Sequence, residues 1–296
     1  RGDAYKINNN IIFNSMCWKI IRTTETGGVK IIYNGTPTDG KCETQIGEAT
    51  QIGKSVFNEN DDDNASVGYM YGKAGSTTYA ATHANTNNSA IKKYIDNWYS
   101  QNFDSITTSK LEDTVFCNDR STKAYDANTI GYDTSDEYLN YVIPLYGDLG
   151  YGKNATFYGA THRASHFSNN PNPSLVCLNN NDKFTVDGKN GNGKLTYPVG
   201  LITNDEVVFA GFNTEAANEN DYKDTTNYLY TNNYYWTLSP LFNNGGGSAA
   251  IGAVEYIGCV GGGLGESTFG VRPVVSLASG TFVTGSGTTT NPYVVE

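Results

Sequence analysis

The alternation of apolar and polar positions is clearest near the start of the chain. Residues 10–35, NIIFNSMCWKIIRTTETGGVKIIYNG, carry two β-branched alternating blocks on either side of the turn signal ETGG. The pattern predicts strand, turn, strand: a meander at the edge of a sheet. In SAIKKYIDNWYSQN, residues 89–102, the period changes. Ile91, Tyr94, Ile95, Trp98 and Tyr99 recur at helical spacing, and Ser89 stands where an N-cap belongs. A second helix is predicted at TNDEVVFAG, 203–211, where Thr203 and Glu206 have capping-box spacing and Gly211 suits the C-terminal stop. LTYPVGLI, just upstream, reads as a short apolar strand. Residues 213–233 are polar and read as a surface loop. The blocks YYWTLSP, AAIGAVEYIG and FGVRPVVSL then read as C-terminal strands. No repeat or proline-rich linker divides the chain, so 1–296 reads as a single domain with insertions, residues 1–9 serving as an N-terminal linker.

Composition sharpens this into a loop-rich protein with more β than α. Asn and Gly favour turns, and the 22 Tyr and 12 Phe supply bulk and strand preference. The net charge of -10 opposes binding to a phosphate backbone, so nucleic acid is not an expected partner. No apolar run has membrane-spanning length, so a membrane would be reached only through a segment absent from this chain.

Five cysteines, Cys17, Cys42, Cys117, Cys177 and Cys259, form no CxxC pair. Their wide spacing suits disulfides in an oxidising compartment. Cys17 and Cys42 flank the hairpin unit and are the first expected pair; Cys117 with Cys177 is the second. Cys259 is left over. The opposing reading is five reduced thiols in a cytosolic protein.

Asp61, Asp62 and Asp63 lie in the acidic stretch NENDDDNAS, where hard oxygen ligands suit Ca²⁺; the other reading is a solvated loop. His162 and His166 have the i,i+4 spacing of a zinc pair, but their surroundings make a poor helix, so they read as loop histidines, as does His83. Arg272, Asp119 and Arg120 read as buried structural groups, and Trp18, Trp98 and Trp236 as core.

Taken in order, CWKIIRTTETGGVKIIYNG, VGYMYG, THANTNNSAIKKYIDNWY, FCNDRS, LTYPVGLITNDEVVFAG, YYWTLSP, GVRPVVSL and GTTTNPYVV resemble surface and pilin-associated proteins of low-GC Gram-positive gut bacteria. More distantly the chain resembles the C-type-lectin-like class, which includes formylglycine-generating enzymes and the variable proteins of diversity-generating retroelements. The resemblance implies an α+β fold of twisted antiparallel sheets, two main helices and long loops, with the termini close together. It implies that residues 241–268 are displayed between rigid closing strands as a ligand-binding or packing surface. Phe242, Asn243, Asn244, Ser248, Glu255, Tyr256, Glu266 and Ser267 would form it, although only Phe242 and Tyr256 are aromatic.

The expected role is non-catalytic, at the cell surface and outside the cell. It is either adhesion to a host or cell-surface glycan or protein, or self-association in a pilus or surface fibre. No cofactor is expected, Ca²⁺ aside. An enzyme of the formylglycine-generating kind, with free cysteines and copper or calcium, and a phage receptor-binding domain are the alternatives.

Overall fold

The computed structural model describes residues 7–43, 46–124, 126, 149–212, 214, 226–245 and 247–296. The greater part of the expected linker and most of the 213–233 loop lie outside these. The described part is α+β, mostly sheet.

The alternating blocks at 10–35 form Asn10–Phe13, Met16–Thr23 and Val29–Tyr33, an antiparallel meander. It does not lie at an edge. Val274–Leu277 pairs on one side and Tyr293–Val295 on the other, with Val283–Thr284 beyond, so the meander is the middle of a six-stranded sheet. The apolar character of both faces of Val29–Tyr33, four of whose five residues are buried, suits a central strand. Asn10–Phe13 and Tyr293–Val295 run parallel, Ile11 opposite Tyr293, which sets the two ends of the chain side by side.

The second sheet is organised by the long strand Tyr235–Asn243. Ala249–Val254 and then Val260–Leu264 add antiparallel to it, in a meander. On its other side Phe269–Gly270 pairs near Tyr235, and Thr156–Tyr158 pairs near Phe242. Within 241–268, AAIGAVEYIG supplies the expected strand as Ala249–Val254, all six residues of which are buried, and Val260–Leu264 is a further strand that the sequence did not show. Glycine explains why Val260–Leu264 went unread, because it carries little strand signal yet permits close packing. A Cβ on Gly263 would lie 2.4 Å from the Phe269 ring.

One apolar core runs through both sheets. Trp18 and Trp236 are fully buried, their indole N–H groups donating to the carbonyls of Phe13 and Ser55, each at 2.9 Å. Trp98 is only half-buried, at the core's margin. Ala90–Asn102 is a helix capped by Ser89, which accepts from the Lys92 N–H, and it packs Ile91, Ile95 and Tyr99 inward. Asn204–Phe209 is shorter than predicted; Gly211 at φ +84° follows its end. Its capping box forms as expected. LTYPVGLI makes only a single bridge, Gly200 to Val274, rather than a strand, because Pro198 has no N–H to offer a ladder. Tyr228 and Leu229, expected on the surface, are buried; Tyr235 donates its hydroxyl to the Leu229 carbonyl at 3.0 Å.

Both disulfides form as expected, Cys17–Cys42 and Cys117–Cys177, and Cys259 is a free buried thiol. No helix among the described residues is long and apolar enough to cross a membrane.

Several buried charges at the join between sheets and helices meet an opposite charge. Glu206, in the first turn of its helix, accepts from Lys30 at 2.8 Å and Arg22 at 2.9 Å. Arg163 spans Asp205 at 2.7 Å and Asp119 at 2.8 Å. Arg120 donates to Asp182 at 2.8 Å and also to Met70 and Asn181 carbonyls and the Asn85 side chain. Arg272 caps the Tyr33 and Leu229 carbonyls and bonds Asn34, with its guanidinium over the Tyr235 ring. These residues hold the frame, and Asp119, Arg120 and Arg272 are the buried groups among them that the sequence suggested.

Candidate functional site

The residues expected to form a display surface fall at two ends of the hairpin Ala249–Val254/Val260–Leu264. At one end Phe242, Ala250 and Leu264 are cross-strand neighbours, Phe242 opposite Ala250 and Ala250 opposite Leu264. With Phe167 they line an apolar groove of about 190 Å³. Phe242 meets Phe157 and Phe167 edge-on at 6.1 and 5.9 Å, and Leu264 is 37% exposed. Asn243 and Asn244 are buried, and Asn243 serves the turn by accepting from the Gly245 N–H at 2.9 Å. Asn244 lies just past the strand end, its N–H donating to the Ser248 carbonyl, so both residues serve the turn rather than an exposed surface. Ser248 and Ser267 are half-buried turn residues and Glu266 is exposed.

At the other end the chain turns through 255–259. Tyr256 is 36% exposed and leans on Tyr234, ring centroids 5.3 Å apart. Glu255 and Cys259 flank the turn, the Glu255 N–H donating to the Cys259 carbonyl at 3.0 Å, and both side chains point inward. There they meet His166. The short helix Gly159–Arg163 delivers this histidine: Thr161 donates its hydroxyl to the Leu241 carbonyl, which docks the helix on the long strand, and the His166 N–H donates to the Val260 carbonyl at 2.7 Å. One donor atom each from His166, Glu255 and Cys259 lies within 4.8 Å of the others.

Burial disfavours the charged form of each of the three groups. Burial pushes the His166 imidazole down to about 4. Burial lifts the Glu255 carboxyl above its ordinary value, against the hydrogen bonds it accepts from the Gly262 N–H and the Cys259 thiol. Burial, and then the Glu255 carboxyl, push the Cys259 thiol well up. A thiol so placed is the reverse of an activated nucleophile, which needs a cation or helix N-terminus beside it. The set can donate and accept hydrogen bonds, or it can share a cation.

Sequence reasoning left His166 among loop histidines and Cys259 as an odd thiol. The one legible sign was the spacing Glu255–x₃–Cys259 across a turn followed by glycines; the histidine is remote in sequence and carries no local signal.

The three aspartates expected to favour Ca²⁺ do not converge. Asp63 caps a 3₁₀ turn, accepting from the Ala65 and Gly75 N–H groups at 2.8 Å each; Asp62 pairs with Lys153 at 2.7 Å. Asp61 is buried apart from them, its carboxyl raised by burial and by Glu266. Local bonding chemistry took each one separately. His162 and His166 do not act as a pair either: His162 lies on the helix and meets Phe157 edge-on at 5.9 Å.

Comparison with known protein families, curated proteins and solved structures finds no match.

Proposed function

We propose that this chain is an extracellular, non-catalytic surface domain on a C-type-lectin-like frame, and that it binds a cell-surface glycan or protein through the apolar groove at the end of the central sheet. The observation that carries the reading is Leu264, solvent-exposed beside Phe242 and Phe167 at the end of an edge strand that packs on the buried Ala249–Val254. Apolar side chains held rigidly at an accessible edge are the material of binding hot spots. The disulfides support the compartment, because such bonds persist where the environment is oxidising. The lectin-like reading draws on the parallel pairing of the two end strands and on the closing strands around buried Trp236 and Arg272.

The test is adhesion of beads carrying the unreduced protein to arrayed glycans and to host-cell surfaces. Wild-type beads bind, and Leu264→Ser weakens binding by roughly thirtyfold, the effect of losing a hot spot worth about 2 kcal/mol. Binding that is indifferent to Leu264→Ser overturns the assignment of the groove; absence of binding to every surface overturns the adhesion reading.

A second reading, subunit of a surface fibre, is favoured by Val260–Leu264, the terminal strand of its sheet. Such an edge offers unpaired backbone groups to another chain. Electron microscopy of unreduced protein separates the readings: regular filaments support the fibre, and dispersed monomers at high concentration exclude it.

A further inference from the structure

The turn between Ala249–Val254 and Val260–Leu264 holds three donors of different softness against one another. His166 Nδ1 and Glu255 Oε1 are 3.9 Å apart, the Cys259 sulfur lies within 4.8 Å of both, and His166 and Glu255 reach partly to solvent while Cys259 is buried. Ligands on a tetrahedral zinc at about 2.0–2.3 Å stand roughly 3.5 Å from one another, so the three donors need only close slightly.

The backbone is shaped around this meeting point. A Cβ on Gly261 would lie 1.8 Å from Glu255 Oε1 and 2.6 Å from His166 Nδ1, so residue 261 leaves the space between the two donors clear. The Gly262 N–H holds Glu255 Oε1 at 3.3 Å, and the His166 backbone is pinned to the Val260 carbonyl. These contacts orient the donors as outer-shell bonds orient metal ligands.

We propose that His166, Glu255 and Cys259 form a transition-metal site selective for Zn²⁺, with a fourth coordination position open toward solvent. The donor set argues for that ion. Thiolate and imidazole favour zinc, whereas calcium takes oxygen ligands almost alone. Binding displaces to solvent the thiol proton, and the carboxyl proton where Glu255 carries one; nothing is oxidised, and the bonds formed are to sulfur, nitrogen and oxygen. The site also gives Cys259 a role in a chain whose other cysteines are joined in pairs. A nucleophilic Cys–His pair is disfavoured, because the thiol bonds the carboxyl rather than the imidazole. The inference does not rest on the adhesion reading, since none of the three donor residues lines the groove.

The experiment uses the full chain with both disulfides intact, stripped by chelator and titrated with Co²⁺. Stoichiometric appearance of a thiolate-to-cobalt charge-transfer band, erased by Zn²⁺, is the expected result, with Zn²⁺ raising Tm. Cys259→Ser abolishes the band. His166→Ala weakens the metal by more than the roughly 10- to 100-fold that outer-shell changes cost. Gly261→Ala removes no ligand but fills the space between two, and it also loses the band. Circular dichroism and the count of unalkylated cysteines verify that each variant is folded and disulfide-bonded. Folded wild-type protein without the band overturns the site, as does a band that survives in Cys259→Ser.

Discussion

Two groups of buried ionisable side chains follow opposite rules. In the frame, Arg120 faces Asp182, Lys30 and Arg22 face Glu206, and Arg163 faces Asp119 and Asp205; each charge meets its opposite within 3 Å. In the turn, His166, Glu255 and Cys259 meet with no cation among them, and burial drives them toward neutral forms. The frame is complete as it stands. The turn gathers acceptors around a point that a positive ion would suit. A buried ionisable residue is thus informative through the company it keeps more than through its depth.

The largest expected effect breaks the closed group. Asp182→Asn leaves the Arg120 guanidinium buried without a countercharge, and such a break costs about 3–5 kcal/mol. Urea or thermal unfolding measures it. Burial lifts the Asp182 carboxyl above its ordinary value even beside Arg120, so the pair is expensive to bury. The double variant Arg120→Met/Asp182→Leu is therefore expected to recover a large part of the loss. A single variant as stable as wild type breaks the contrast between the two groups.

How much of this was legible follows the range of each signal. The capping box at Thr203 and Glu206, the Ser89 cap and the meander at 10–35 are local chemistry, and each stands where the sequence put it. The two disulfides were readable from spacing and elimination. The meander's central position was not readable, because the strands that flank it come from residues 274–295. AAIGAVEYIG read as a strand but Val260–Leu264 did not, because strand preference is carried by side chains that its three glycines lack. The His166 cluster required the segment after the helix Gly159–Arg163 to meet the distant turn that carries Glu255 and Cys259, and no spacing encodes that meeting.

An intermediate effect distinguishes the groups by pH. Burial pushes the Glu206 carboxyl up, but Lys30, Arg22 and its hydrogen bonds outweigh that and leave it below its ordinary value. A carboxyl depressed in the folded state contributes stability that is present above its unfolded value and lost as pH falls through the folded one. Unfolding followed from neutral pH into the acid range should show that loss in wild type and a smaller one in Glu206→Gln, which is already destabilised at neutral pH. Equal acid slopes in the two proteins would remove Glu206 from the closed group.

The smallest effect lies in the open group. Cys259→Ala in chelator-treated protein removes a buried sulfur but leaves no charge without a partner, since the Gly262 N–H still serves the Glu255 carboxyl. The expected loss is about 1 kcal/mol, typical of a modest core truncation. Calorimetry with and without Zn²⁺ makes the comparison. Wild type gains Tm on adding the metal and the variant does not, so the gap between them widens with zinc although the metal-free difference is small. A gap as large without zinc as with it would mean that Cys259 is a packing residue like its apolar neighbours, and that the turn needs no ion to be whole.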